Sequence, residues 1–183
     1  MSEKPKILNR KVVAQSRLFQ IEALDLEFSN GAKRQYERLM RGKGSHGAVL
    51  IIPMLDNETV LLIREYSGGV DRYELGLAKG KIDAGETALE ATNRELKEEV
   101  GYGARKIQQL SAFSIAPSYM EHTTEIMLAE DLYPERLLGD EPEELQVIPW
   151  KLDNLAELFN SGECTEARSI AALYMARDYF KPV

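Results

Sequence analysis

Residues 80–102, reading GKIDAGETALEATNRELKEEVGY, constrain the fold more tightly than any other part of this 183-residue chain. Gly80 and Gly101 frame the stretch, and five glutamates and one arginine stand between them. Thr87 followed three residues later by Glu90 has the form of a capping box, which predicts a helix starting there. On a 3.6-residue period Leu89, Leu96 and Val100 share one stripe, the predicted buried face. Glu95 and Glu99 lie one turn apart and Glu98 lies three residues from Glu95, so the three carboxylates can converge. Gly101 then stops the helix, because glycine takes the left-handed conformation without steric cost.

Like charges on adjacent turns weaken a helix by a few tenths of a kcal/mol per pair. A hard divalent cation with oxygen ligands, Mg²⁺ or Mn²⁺, would relieve that repulsion. The competing reading is a solvated face laced by Glu90–Arg94 and Arg94–Glu98 pairs, the ordinary fate of a charged run at helical spacing.

The spacing within the stretch separates these readings. Gly80, five residues, Glu86, seven residues, then Arg94-Glu95-Leu96-Lys97-Glu98-Glu99-Val100-Gly101 resembles the Nudix box with every fixed position filled. At roughly 5–10% abundance per residue type, such a match arises by chance about once in ten million windows. Tyr102 stands where an aliphatic residue is usual, a bulky apolar exchange that leaves the charged positions intact. The resemblance implies an α/β fold with a mixed sheet between helical layers. It also implies metal-dependent hydrolysis of a nucleoside diphosphate linked to another group. In that family Glu95 and Glu99 would be metal ligands and Glu98 a further ligand or water-positioning group, with the backbone carbonyl of Lys79 completing the shell. Glu86 and Arg94 would pair with each other, forming the box scaffold with Gly80 and Gly101.

The rest of the chain fits this frame. Apolar and polar residues alternate from Lys11 to Met40 around Ser29-Asn30-Gly31, a hairpin signal. Residues 1–44 therefore read as a small antiparallel sheet, with Met1 to Ile7 polar and loose at its start. So few strands need something to pack on, and pairing with a second subunit is the expected answer. Residues 45–183 read as the main domain. Apolar runs at 47–53 and 59–66 predict buried strands. Further strands are predicted at 73–75, 107–115, 125–129 and 146–150, with helices at 152–160 and 166–180. Residues 132–145 are acidic and Pro-containing, and read as a solvent-facing excursion.

Net charge is −7 with no long basic run, which argues against nucleic acid as a partner. A polyanionic substrate then needs local cations, which a bound metal supplies. Cys164 is the only cysteine, so no disulfide can form within the chain. Neither a targeting segment nor a run long enough to span a membrane is read, and the expectation is a soluble cytoplasmic protein.

Features outside the box narrow the resemblance to the ADP-ribose pyrophosphatase subgroup and its branch acting on ADP compounds. Pro117 lies sixteen residues after Gly101, with Tyr119 just beyond, and Glu166-Ala167-Arg168-Ser169 opens the last helix. The branch implies cleavage of ADP-ribose, diadenosine polyphosphates and NADH to give AMP, with NADH a side substrate because the motif of the dedicated NADH enzymes is absent. A homodimer through the N-terminal sheet is expected. The family's second-strand R-Q-Y-R is here Arg64-Glu65-Tyr66-Ser67. Phosphate contacts are therefore expected from Arg64 or Arg72, and Tyr119 could stack an adenine. Glu121 is the expected general base, with His122 and Glu125 as competitors. Two other readings remain open: a nucleotide-sensing module that binds without cleaving, and a nucleoside triphosphate pyrophosphatase.

Overall fold

The computed structural model describes residues 3–40 and 46–181. The expected domain boundary at 44/45 and the first residues of the expected loose segment lie outside the described residues. The chain divides into two compact units: Met1–Ser45 with Ser114–Thr123, and His46–Phe113 with Thr124–Val183.

In the first unit β1 (Lys6–Gln15), β2 (Gln20–Glu27) and β3 (Lys33–Leu39) form a three-stranded antiparallel sheet in chain order. The predicted hairpin closes through Phe28 N–H to Ala32 O at 2.9 Å, with Gly31 at φ +80°. β1 starts at Lys6, inside the segment expected to be loose. Its side chains are exposed throughout, so no burial pattern announces it, and the ladder to β2 holds it. The segment 114–123 is fastened to β3 by Leu39 N–H to Tyr119 O (2.8 Å) and Glu121 N–H to Leu39 O (2.9 Å).

The second unit holds β4 (Ala48–Pro53), β5 (Thr59–Ser67), β6 (Arg72–Gly76), β7 (Lys79–Lys81), α1 (Ala88–Glu95), β8 (Tyr102–Ser114), β9 (Thr123–Pro134), β10 (Gln146–Lys151), α2 (Leu155–Asn160) and α3 (Ala167–Phe180). One sheet runs β7-β4-β9-β8 and mixes an antiparallel β4–β7 pair with a parallel β4–β9 pair. The other runs β10-β5-β6 and is antiparallel. The apolar runs are strands buried on both faces. Leu50, Ile52, Leu62, Ile126 and Leu128 belong to a core completed by Leu155, Leu158, Ala172 and Leu173 of α2 and α3. The alternate residues Val49, Ile51, Ile63 and Met127 pack with Ala91, Leu96 and Val100 of the box. Successive side chains of a strand point to opposite faces, so one strand set supplies two cores. Burying each such side chain stabilises by about 1.5–3 kcal/mol.

Two expectations for the box change. Leu89 is 49% exposed, while Ala91, Thr92, Leu96 and Val100 are buried. Leu89 sits in the first turn, beside a cap loop that is itself exposed, so nothing covers it. The helix also does not continue as a regular α-helix to Gly101, because Leu96–Val100 is a π turn.

Candidate active site

β7 carries Gly80 opposite Val49 on β4 and leads into the loop before α1. Thr87 caps α1 reciprocally: Glu90 N–H donates to its Oγ1 at 3.2 Å, and Thr87 N–H donates to the Glu90 carboxylate at 2.8 Å. Glu90 is engaged in that cap, rather than in the Glu90–Arg94 pair of the solvated-face reading. The π turn then inserts an extra residue, an irregularity that often marks functional sites. Gly101, at φ +82°, ends it by donating to Leu96 O at 3.1 Å.

Arg94 is the hub of the box. Its Nε and Nη2 donate to the two oxygens of Glu86 at 2.8 and 3.0 Å. Nη2 also donates to Lys81 O at 2.9 Å, and Nη1 to Glu95 at 2.7 Å and Glu98 at 3.0 Å. One planar fork thus ties the loop, β7 and the helix together. The hydrogen bonds from Arg94 hold the Glu86 carboxyl below its ordinary range, and the same contacts raise the pKa of Arg94.

Glu95 lies over Gly80 so closely that a Cβ on Gly80 would overlap its carboxyl group. That close approach is why glycine stands there. Glu99 turns inward, 5% exposed, and accepts Lys79 N–H at 3.0 Å. Burial, opposed by the Lys79 N–H and ammonium and helped by nearby Glu95 and Glu65, pushes its carboxyl up to about 8. Burial also raises Glu95. The Lys79 ammonium pairs with Glu65 on β5.

These groups face a cleft of about 550 Å³ lined by Lys79, Gly80, Glu95, Glu98 and Glu99 among others. That volume suits a small-molecule ligand. Asp140 and Glu141 line it too, within the stretch read as a solvent-facing excursion. No periodicity or spacing in 132–145 signalled that placement.

Among the described residues no group of three or more His, Cys, Asp and Glu side chains stands arranged to hold a metal ion. The reason is local, since Arg94 engages both Glu95 and Glu98. The donor chemistry nonetheless fits a hard divalent cation. Carboxylate oxygens crowd one cleft, and the innermost accepts a main-chain N–H. A cation such as Mg²⁺ keeps several waters and takes one or two carboxylates rather than a full protein cage.

The remaining expected site residues are not among those lining the cleft. Arg64 pairs with Glu163 at 3.1 Å, and Arg72 donates to Glu74 (2.6 Å) and Thr165 (3.0 Å). Tyr119 and Glu121 belong to the first unit, where Tyr119 is 58% exposed and Glu121 stands 3.6 Å from Arg38. Glu125 is on β9 and bonds Gln109.

Residues 5–38 match the family model of the NudE-type Nudix hydrolase N-terminal domain, and residues 44–172 match that of the NUDIX domain. The chain is 49% identical to the ADP compounds hydrolase NudE of Escherichia coli (strain K12), over 98% of this chain and 95% of that protein. It is 27% identical to an ADP-ribose pyrophosphatase of Bacillus subtilis (strain 168), over 92% of each. A crystal structure of an ADP compounds hydrolase superposes with a TM-score of 0.89 at 48% identity, covering 99% of this chain and 96% of that one.

Proposed function

The chain belongs to the NUDIX family and hydrolyses ADP-linked compounds, and from that premise we propose how its residues divide the work and which compounds it takes. One observation carries the reading: Glu95 packed on Gly80, Glu98 and the inward Glu99 share a single cleft of ligand size. Glu95, Glu98, Glu99 and the backbone carbonyl of Lys79 hold Mg²⁺ or Mn²⁺. When bound, such ions neutralise a diphosphate and lower the pKa of an attacking water. Arg94 and Glu86 fix the loop against the helix, so the carboxylates are aimed before substrate arrives.

Glu121 is the proposed general base. Glu121 shares Arg38 with Glu22, which holds that arginine more closely (2.9 Å) than Glu121 does (3.6 Å). Arg64, Arg72 and Tyr119 are the proposed substrate contacts. The two arginines would exchange Glu163 and Glu74 for phosphate oxygens. The substrates are ADP-ribose and diadenosine polyphosphates, with NADH a side substrate, and AMP is released. Two such chains pair through the N-terminal sheet, whose Ile7, Val12 and Val13, with Phe19 in the β1–β2 turn, are exposed apolar residues, and light scattering on the purified protein would read the dimer mass. No helix among the described residues is long and apolar enough to cross a membrane, and cytoplasmic placement is part of the same proposal.

The test is AMP release at about 5 mM Mg²⁺, in excess because Mg²⁺ sites bind weakly. ADP-ribose, diadenosine triphosphate, NADH and dGTP are compared with wild type and Glu99→Gln. Cleavage of the ADP-linked substrates, lost in Glu99→Gln and on chelation, is expected. Cleavage of dGTP alone would favour a triphosphate pyrophosphatase. No cleavage with ADP-ribose still bound would overturn the enzyme reading in favour of a sensor.

A further inference from the structure

The acidic segment after β9 is built onto the exit of the box by contacts that the chemistry above does not use. Two backbone N–H groups of the segment donate to carbonyls at the end of the box: Glu135 to Gly101 at 3.1 Å and Leu137 to Lys97 at 3.1 Å. The Lys97 ammonium pairs with Glu135 at 2.9 Å and lies 5.9 Å from the centroid of the Tyr133 ring. Arg105 stacks on the same ring at 4.8 Å. Two glycines make room. A Cβ on Gly103 would overlap the Tyr133 ring, and one on Gly101 would stand 2.9 Å from Arg136 Nη2. Further on, Gly139 passes so near the box that a Cβ there would stand 3.3 Å from Glu98 Cβ. Lys97 has a side chain only 16% exposed. A lysine in a run of carboxylates would ordinarily reach into water, so its commitment to the segment needs a reason.

We propose that Lys97 is a positioning residue for the hydrolysis: it holds the segment 135–141 against the box, so that Asp140 and Glu141 share the cleft with Glu98. This rests on the hydrolase reading above. Lys97 touches none of the reacting atoms and acts through the segment. Its main-chain carbonyl and its ammonium grip two points of the segment two residues apart, Leu137 and Glu135. The cleft wall that carries Asp140 and Glu141 is therefore set by a side chain inside the box itself.

The experiment pairs Lys97→Met with Lys97→Arg in the full chain. Arginine can keep both the ion pair and the stacking on Tyr133, and methionine can keep neither. Hydrogen–deuterium exchange of the peptide spanning 135–145 is read alongside kcat and KM for ADP-ribose. Lys97→Met should speed exchange of that peptide and lower kcat about tenfold with KM within about threefold, while Lys97→Arg restores both readouts. Glu135→Gln, which breaks the same pair from the segment side, should reproduce the effect, and combining it with Lys97→Met should add little. It also keeps the test open should Lys97→Met fail to fold. Faster exchange with unchanged kcat would overturn the proposal, because segment position would then not matter to the reaction. A lower kcat with unchanged exchange would overturn it too, because Lys97 would act by another route. Inactive wild type would sink the hydrolase reading itself, a result distinct from either.

Discussion

Two acidic stretches line one cleft, and they are held in opposite ways. In the box, Glu86, Glu95 and Glu98 converge on Arg94, and Glu99 takes a main-chain N–H. In the segment after β9, the carboxylates are held singly: Glu135 by Lys97 of the box, Glu143 by the Tyr73 hydroxyl at 2.7 Å, and Glu144 by the segment's own Arg136 at 4.0 Å. A fork shared by several carboxylates fixes their mutual geometry, whereas separate pairs fix each residue alone. The box is thus the rigid wall of the cleft, and the segment takes its position from the box.

The sharpest way to break this comparison is Gly80→Ala. The added methyl would occupy the space of the Glu95 carboxyl, so the carboxylate must swing away. Displacing a catalytic group by about an ångström costs on the order of a hundredfold in rate. AMP release should fall by that much while the melting temperature moves little by comparison. Activity close to wild type would mean that the position of Glu95 on Gly80 is not what the reaction needs.

Arg94→Lys comes next, because an ammonium cannot reproduce the fork to Glu86. Losing charge-assisted bonds of this kind should cost about 2 kcal/mol in urea unfolding. The pH dependence has a definite sign. Hydrogen bonds from Arg94 hold the native Glu86 pKa below its ordinary 4.5. The stabilisation from Glu86 is therefore present above about pH 4.5 and lost as pH falls through the lower native value. Wild type should lose stability over that acid window, and Arg94→Lys should lose less. Equal acid sensitivity in the two proteins would show that the fork does not organise the box.

The same contrast explains what could be read from residues alone. The box was legible because its devices are local: a cap three residues long, a glycine stop, and carboxylates at helical spacing. The buried strands were legible because both faces are covered, which writes continuous apolar runs such as Val49 to Ile52. The π turn was not, since one inserted residue leaves no mark on composition and only shifts which face Glu99 presents. Leu89 misled because a periodic stripe says nothing of whether a first turn is covered. The segment 135–141 was read as solvated because its carboxylates have no period. Its place on the cleft depends on Tyr133 and Arg136 finding glycines at 103 and 101, contacts some thirty residues apart in sequence.

Thr87→Ala tests how far the rigidity of the box depends on its first turn. The reciprocal cap between Thr87 and Glu90 would lose its side-chain half, at about 1 kcal/mol. A drop of roughly 2–4 °C in melting temperature is expected, with kcat nearly unchanged because Arg94 still holds the carboxylates. A large loss of kcat would mean that the cap, rather than the arginine fork, sets the geometry.

The smallest effect belongs to the segment. Glu144 is 82% exposed at the side chain and meets Arg136 at the limit of an ion pair, a contact worth about 0–1 kcal/mol at most. Glu144→Gln should leave thermal unfolding, kcat and segment exchange within error of wild type. Arg136 itself stays in place for another reason, its packing on Gly101, which does not need the charge on Glu144. If Glu144→Gln instead loosened the 135–145 peptide as much as Lys97→Met, the segment would be a network in its own right. The contrast between a wall that organises itself and a wall that borrows its position would then be lost.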